Sequence, residues 1–268
     1  MKESIIERIE SLPPLPKTLQ EFEEAYKDEN VTIKQIAKIL EQDPMIVANV
    51  LKRVNSSFYS FPKRIDSLQH AISILGLSGV RAIVLENSLK KVLNPNMEPY
   101  GINAEQFAHI SQLQSFLMEK WYKKVDPHKV SFLSLAAFLQ ESGKILIADE
   151  VLRENWVEQF RQELEMNDDV AEVERFFVGM SAGEVTAKIF EHWHMEQILC
   201  KVIEYSDRYE KAPEEIKESS LALHIVKRAV PVNKPLAPIS QYIAKTIAAK
   251  EGLDVKKLEE AMDAIVDL

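Results

Sequence analysis

Apolar residues recur at three- and four-residue spacing along nearly the whole chain, and the breaks in that rhythm carry helix-start and helix-stop residues. The clearest stretch runs from Ile39 to Leu75. Asp43-Pro44 reads as an N-cap followed by proline at the first helical position, where its missing N–H costs nothing. Val47, Val50, Leu51 and Val54 then form one stripe, ending at Asn55-Ser56-Ser57. The aromatic segment Phe58-Tyr59-x-Phe61-Pro62 follows. Ser67 caps a short helix carrying Leu68, Ala71, Ile72 and Leu75, and Gly76 stops it.

Upstream, a helix over 1–11 meets the prolines of Ser11-Leu-Pro-Pro-Leu-Pro16 and is followed by a helix over 17–27. Thr32-x-x-Gln35 is a capping box for a helix that buries Ile36, Ala37 and Leu40. A longer helix spans 77–93, and Asn94–Gly101, with two prolines and a glycine, marks the best lobe boundary. Helices are then predicted over 103–124, 128–148, 150–166, 169–177, 182–192, 195–209, 214–229, 239–250 and 254–267. No strand is predicted, because β-branched runs such as Ala229-Val-Pro-Val232 contain proline. The expectation is an all-α protein of about fourteen helices in two lobes, 1–96 and 97–268.

Composition narrows the chemistry. Only 7 glycines occur in 268 residues and no phosphate-cradling glycine motif is present, which argues against a nucleotide-binding α/β enzyme. A net charge of −9 argues against a general nucleic-acid binder, although Lys52, Arg53, Lys63 and Arg64 form a local basic patch. The single cysteine, Cys200, allows no internal disulfide and lacks a thiolate-activating neighbour cluster. With no apolar signal core and no membrane-length apolar run in the reading, a cytoplasmic protein without a membrane partner is expected.

The histidines do not assemble a metal motif. His192 and His194 are two apart and diverge on a helix, while His70 and His224 stand alone. His109, one turn after Glu105, is the one whose position invites a role. Acidic residues such as Glu163, Glu165, Asp168 and Asp169 read as a solvated face. Ser56, Ser57 and Ser181 lack the strand–turn–helix setting of a nucleophile.

The segments Leu12-Pro13-Pro14-Leu15-Pro16, Ile39-x-x-x-Asp43-Pro44 and Val50-Leu51-x-x-Val54-Asn55-Ser56-x-Phe58-Tyr59 form a pattern, completed by Ile65-x-Ser67 and Ala71-Ile72-x-x-Leu75-Gly76. Together they resemble the signature of the HDOD domain, a bacterial relative of the HD-type metal-dependent phosphohydrolases. The resemblance covers about residues 10–207 and leaves the rest as appended helices. It implies an HD-like helical core in the second lobe and prompts a comparison of metal-binding positions. Leu139-Gln-Glu-Ser-Gly143-Lys144 parallels a run that holds a His-Asp pair in the hydrolases, so Gln140 and Glu141 stand in the paired positions on the expected helix. Ala182 stands where a downstream histidine is expected, and Ser206 falls where paired histidines are common.

The resemblance therefore implies a non-catalytic signalling or scaffold module without cofactor or metal, binding a protein partner or a small ligand. The candidate surface is Asp43, Asn55, Ser56, Phe58, Tyr59 and Arg81, with the alternative that Asn55, Phe58 and Tyr59 only lock the fold. A divergent phosphohydrolase would use Glu141 and Asp207, with His109, around a hard cation. A third reading is a nucleic-acid-binding regulator through the basic patch.

Overall fold

The structure, a computed structural model, describes residues 2–28, 30–56, 59 and 61–266. Fifteen α-helices and no strand are present among the described residues. In order they are α1 (Lys2–Glu10), α2 (Lys17–Tyr26), α3 (Ile33–Leu40), α4 (Pro44–Val54), α5 (Leu68–Leu93), α6 (Ala104–Val125), α7 (Val130–Leu139) and α8 (Lys144–Arg153). There follow α9 (Val157–Met166), α10 (Val170–Val178), α11 (Ala182–His192), α12 (Gln197–Glu204), α13 (Glu214–Ala229), α14 (Pro238–Lys250) and α15 (Val255–Asp263).

The chain divides into two compact units, residues 13–92 and residues 1–12 with 93–268. The division expected after residue 96 falls at Leu93, and the first helix is placed differently from the expectation. Ile5 and Ile9 of α1 are buried, and α1 packs on α8 and α11, so the amphipathic stripe assigns it to the larger unit.

In the 13–92 unit the caps act as the sequence specifies. Thr32 and Gln35 close a reciprocal capping box at α3, and Asp43 Oδ1 accepts from the backbone N–H of Met45 at 2.9 Å to start α4. The inward stripe of α4 is Ile46, Val50 and Val54, and Ile36 and Leu40 of α3 and Leu68 of α5 are buried as well. α5 is continuous in hydrogen bonding but kinked at Gly76, whose φ of 73° is open to glycine and strained for other residues. The predicted stop at Gly76 is thus a bend between two helical halves.

In the larger unit α6 lies along α7, α11 along α12, and α13 along α14. Trp121 and Tyr122 of α6 are buried edge to face at 5.2 Å. The helix expected over 128–148 is instead two helices, α7 and α8, joined by the turn 140–143. The cause is tertiary. Gly143 sits so close to α11 that the chain must turn there, and its N–H donates to Thr186 Oγ1 at 2.7 Å.

By length and composition Leu68–Leu93 and Val130–Arg153 could each cross a membrane, contrary to the expectation that no stretch reaches that length. In the fold, 50% and 78% of their apolar windows are buried, and each is interrupted, at Gly76 and at the 140–143 turn.

Candidate functional site

The turn between α7 and α8, the α10–α11 connection, the 3-10 turn Tyr205–Asp207 and α13 converge on one buried charged cluster. Glu141 leaves the turn, Glu174 projects from α10, and Asp207 ends the 3-10 turn. Two ammonium groups stand between these carboxylates. Lys144 Nζ lies 2.8 Å from Glu141 Oε2 and forms a short ion pair with Glu174 Oε1. Lys227 Nζ, from α13, donates to Asp207 Oδ1 at 2.6 Å and lies 3.8 Å from Glu141 Oε1. All five groups are nearly inaccessible to solvent.

Backbone N–H groups complete the arrangement. Ala182 N donates to Glu174 Oε2 at 2.6 Å and Gly183 N donates to Asp207 Oδ2 at 3.2 Å. Both belong to the first turn of α11, whose partial positive charge offsets the one carboxylate in excess over the two ammoniums. The Tyr100 hydroxyl donates to Glu174 Oε1 at 2.9 Å, and burial next to that carboxylate pushes its pKa well up, so it stays a donor. Burial alone would raise the Asp207 carboxyl, but Lys227, Ser181 and Lys144 together hold it well below the usual range. Burial lowers the Lys144 ammonium, against the pull of Glu174.

Among the positions singled out from sequence, Gln140 turns away from the cluster. Its Nε2 donates to Gln114 Oε1 at 2.8 Å, and Gln114 Nε2 donates to Val230 O at 2.9 Å. Glu141 is in the cluster, on a turn rather than the expected helix. Ala182 contributes only its N–H, and Ser206 Oγ donates to Ile203 O at 2.8 Å while accepting from Lys227 Nζ at 3.4 Å, at the edge of the cluster. Asp207 is in the cluster, whereas His109 lies on the exposed face of α6 and does not line the cavity. His224 does, with Nδ1 2.9 Å from Ser206 O. Glu174, Lys144 and Lys227 carry the chemistry and were not singled out by spacing. Only Lys144 had a signal, as the last residue of the Gly143-Lys144 run.

The cavity left beside the cluster measures about 30 Å³, room for a water or two, and its rim carries an Arg228–Asp169 ion pair at 3.0 Å. A catalytic metal ion of the HD type needs at least three lone-pair donors and an open position. Here the donor set is three carboxylates already facing two ammoniums, and an incoming cation would meet Lys144 and Lys227 at contact distance. Among the described residues no group of three His, Cys, Asp or Glu side chains is placed to hold one. The residues present do not fit the metal.

The cluster couples folding to pH. Burial lowers the His224 pKa from 6.5, so below about that pH the unfolded chain takes up a proton that the folded chain refuses. The Asp207 carboxyl, depressed in the fold, adds stability that is complete above its unfolded value near 3.8 and lost as pH falls further toward its folded value. Both groups act in the same direction. Urea midpoints measured from pH 8 down to pH 3 are expected to fall in two steps, and His224→Gln is expected to remove the first. A midpoint that rises between pH 7 and 5 contradicts this assignment.

Around the signature, the structure gives most of the candidate residues intrachain tasks. Asp43 is the α4 cap. The Asn55 amide is a clamp, with Nδ2 donating to Leu51 O and to Ile65 O at 2.7 Å each, and Oδ1 accepting from Ile65 N at 2.8 Å. Tyr59 stacks on Phe61 at 5.9 Å and Ser56 is half-buried. Ser57 and Phe58 lie outside the described residues. Arg81 is not a surface residue. At 1% exposure it pairs with Glu23 through Nε at 2.9 Å and Nη2 at 2.6 Å, under the Tyr26 ring at 4.2 Å.

Comparison with known proteins agrees with this architecture. The HDOD domain family matches residues 12–209. A solved structure from Geobacter sulfurreducens, an HDOD domain protein with unknown function, superposes with a TM-score of 0.64 at 17% identity, over 100% of this chain and 99% of that one. A protein from Shewanella amazonensis, provisionally assigned as a phosphohydrolase, superposes with a TM-score of 0.76 at 19% identity over 99% and 95% of the two chains. One from Marinobacter aquaeolei, provisionally assigned to signal transduction, reaches 0.77 at 21% identity, over 99% of this chain and 62% of its own. A curated Treponema pallidum protein is 21% identical over 80% of this chain, which spans 41% of that relative's length. These likenesses share the helical fold.

Proposed function

The chain belongs to the HDOD domain family, and from that premise we propose that it is a non-catalytic signal-transduction module that works by binding a protein partner. One observation carries the reading. The ammonium groups of Lys144 and Lys227 face the same carboxylates, Glu141, Glu174 and Asp207, that a metal-dependent hydrolase at this place would need free. With both ammonium groups held among these carboxylates, a hard cation would have to displace them before it could polarise a phosphoryl oxygen or a water. The likeness to a signal-transduction protein, and the family itself, favour a regulatory role over a metabolic one. The remaining cavity is too small for a nucleotide, which directs the search for a partner to the surface.

Metal analysis tests the reading. Protein purified without chelator or histidine tag is loaded with Zn²⁺, Mn²⁺, Fe²⁺ or Mg²⁺, desalted and assayed for metal per chain and for phosphomonoester hydrolysis. Far less than one ion per chain and background turnover are expected. One or two retained ions, with turnover abolished by Glu141→Ala, would overturn the proposal and favour a hydrolase.

A further inference from the structure

The 13–92 unit holds a surface feature that the buried cluster does not explain. The outward positions of α4 are Ala48, Leu51, Lys52 and Asn55, spaced as one helix face, and they line an open groove together with Phe61, Arg64, Ile65 and Asp66. The groove encloses about 870 Å³. Its wall is built, because the Asn55 clamp ties the end of α4 to the backbone of Ile65 and so fixes where Phe61 and Arg64 leave the chain. Ile65 is buried while Arg64 and Asp66 on either side are exposed, as alternation in an extended segment requires.

Ala48, Leu51 and Phe61 are its apolar elements, and Met45, one turn before Ala48 on α4, is 63% exposed. The charges beside them are mostly positive. Lys52, Lys63 and Arg64 are exposed and have no ion-pair partner among the described residues, whereas Arg53 and Arg81 are neutralised by Glu86 and Glu23. The unit as a whole departs from the chain's charge. Residues 13–92 carry 11 Lys and Arg against 9 Asp and Glu, in a chain that totals 33 against 42.

We infer that this groove docks an acidic amphipathic helix of a partner protein, its apolar stripe on Leu51 and Phe61 and its carboxylates at Lys52 and Arg64. An apolar floor flanked by unpaired cations is the complement of such a helix, and burial beside apolar surface strengthens each charge contact. Nucleic acid fits less well: its affinity grows with the number of phosphates neutralised, three exposed cations neutralise few, and the apolar floor of Leu51 and Phe61 has nothing to match in a phosphate backbone. The inference rests on reading the chain as a binding module and names the chemistry of its partner.

The test uses the full chain with p-benzoylphenylalanine at Ala48, irradiated in the cells that express it naturally, with the cross-linked segment sequenced by mass spectrometry. A synthetic peptide of that segment is then titrated against the purified protein. One segment is expected, acidic and with apolar residues at helical spacing. Lys52→Glu with Arg64→Glu should weaken the peptide at least about tenfold with the circular-dichroism spectrum unchanged, and replacing the peptide's facing acids by lysine should restore it. Cross-links to nucleic acid, to a basic segment or to none, or a peptide indifferent to the charge reversal, would overturn the inference. A chain that passes this test yet retains metal and turns over a phosphoester would instead overturn the non-catalytic reading and leave the groove in place.

Discussion

Lys144→Met is expected to destabilise the larger unit by about 3–5 kcal/mol, the cost of leaving a buried carboxylate without its counter-charge. The substitution keeps the volume of the side chain and removes the ammonium from between Glu141 and Glu174, all three inaccessible to solvent. The loss reads as a lower urea midpoint at unchanged slope. Adding Glu174→Gln to Lys144→Met should recover much of it, since the amide oxygen can still accept from Ala182 N while its NH2 group donates to the Tyr100 hydroxyl oxygen. The exposed pair Lys124–Glu260, at 2.7 Å, is the control, and Lys124→Met should leave the urea midpoint nearly unchanged, since solvent screens that pair. A loss at Lys144 as small as the control would mean that the cluster is solvated and that a metal could compete for its carboxylates.

Gly143→Ala is expected to cost about 3 kcal/mol, near the upper end for overpacking by a single carbon. A Cβ at this position would run into the carbonyl oxygen of Ala182 and lie 2.8 Å from both Thr186 N and Val185 Cβ. Two of those three atoms are backbone of α11, which cannot rotate away. Val185→Ala should therefore fail to rescue the variant, although it removes the third contact. Gly252→Ala is the comparison, because a Cβ there meets nothing within 4 Å and the cost is only that of φ at +74°, about 1–2 kcal/mol. Equal losses at the two glycines would contradict the close approach of α11. The same approach aims the first turn of α11 at Glu174 and Asp207, so displacing it should also weaken the charged cluster.

The amino-acid pattern by itself determined the helical class, most helix starts and the family. Those properties are local. A cap such as Asp43 or Thr32 needs a backbone N–H two or three residues away, and an amphipathic stripe needs only its own periodicity. Asn55 was legible as a helix-end residue for the same reason, while its bonds to Ile65 were not, because the loop between them has no period.

The tertiary structure decided the rest. It broke the helix expected over 128–148, since the crowding that turns the chain at Gly143 comes from α11, some forty residues away. It buried Arg81 against Glu23 across 58 positions, where sequence suggested an exposed contact. It also decided what replaces the expected metal ligands. Gln140, Glu141 and Ala182 announced a loss, but the compensating cation, Lys227, sits 86 positions after Glu141 on α13 and bears no motif. Charge neutralisation in a buried site depends on distance in space, and a single sequence records distance only along the chain.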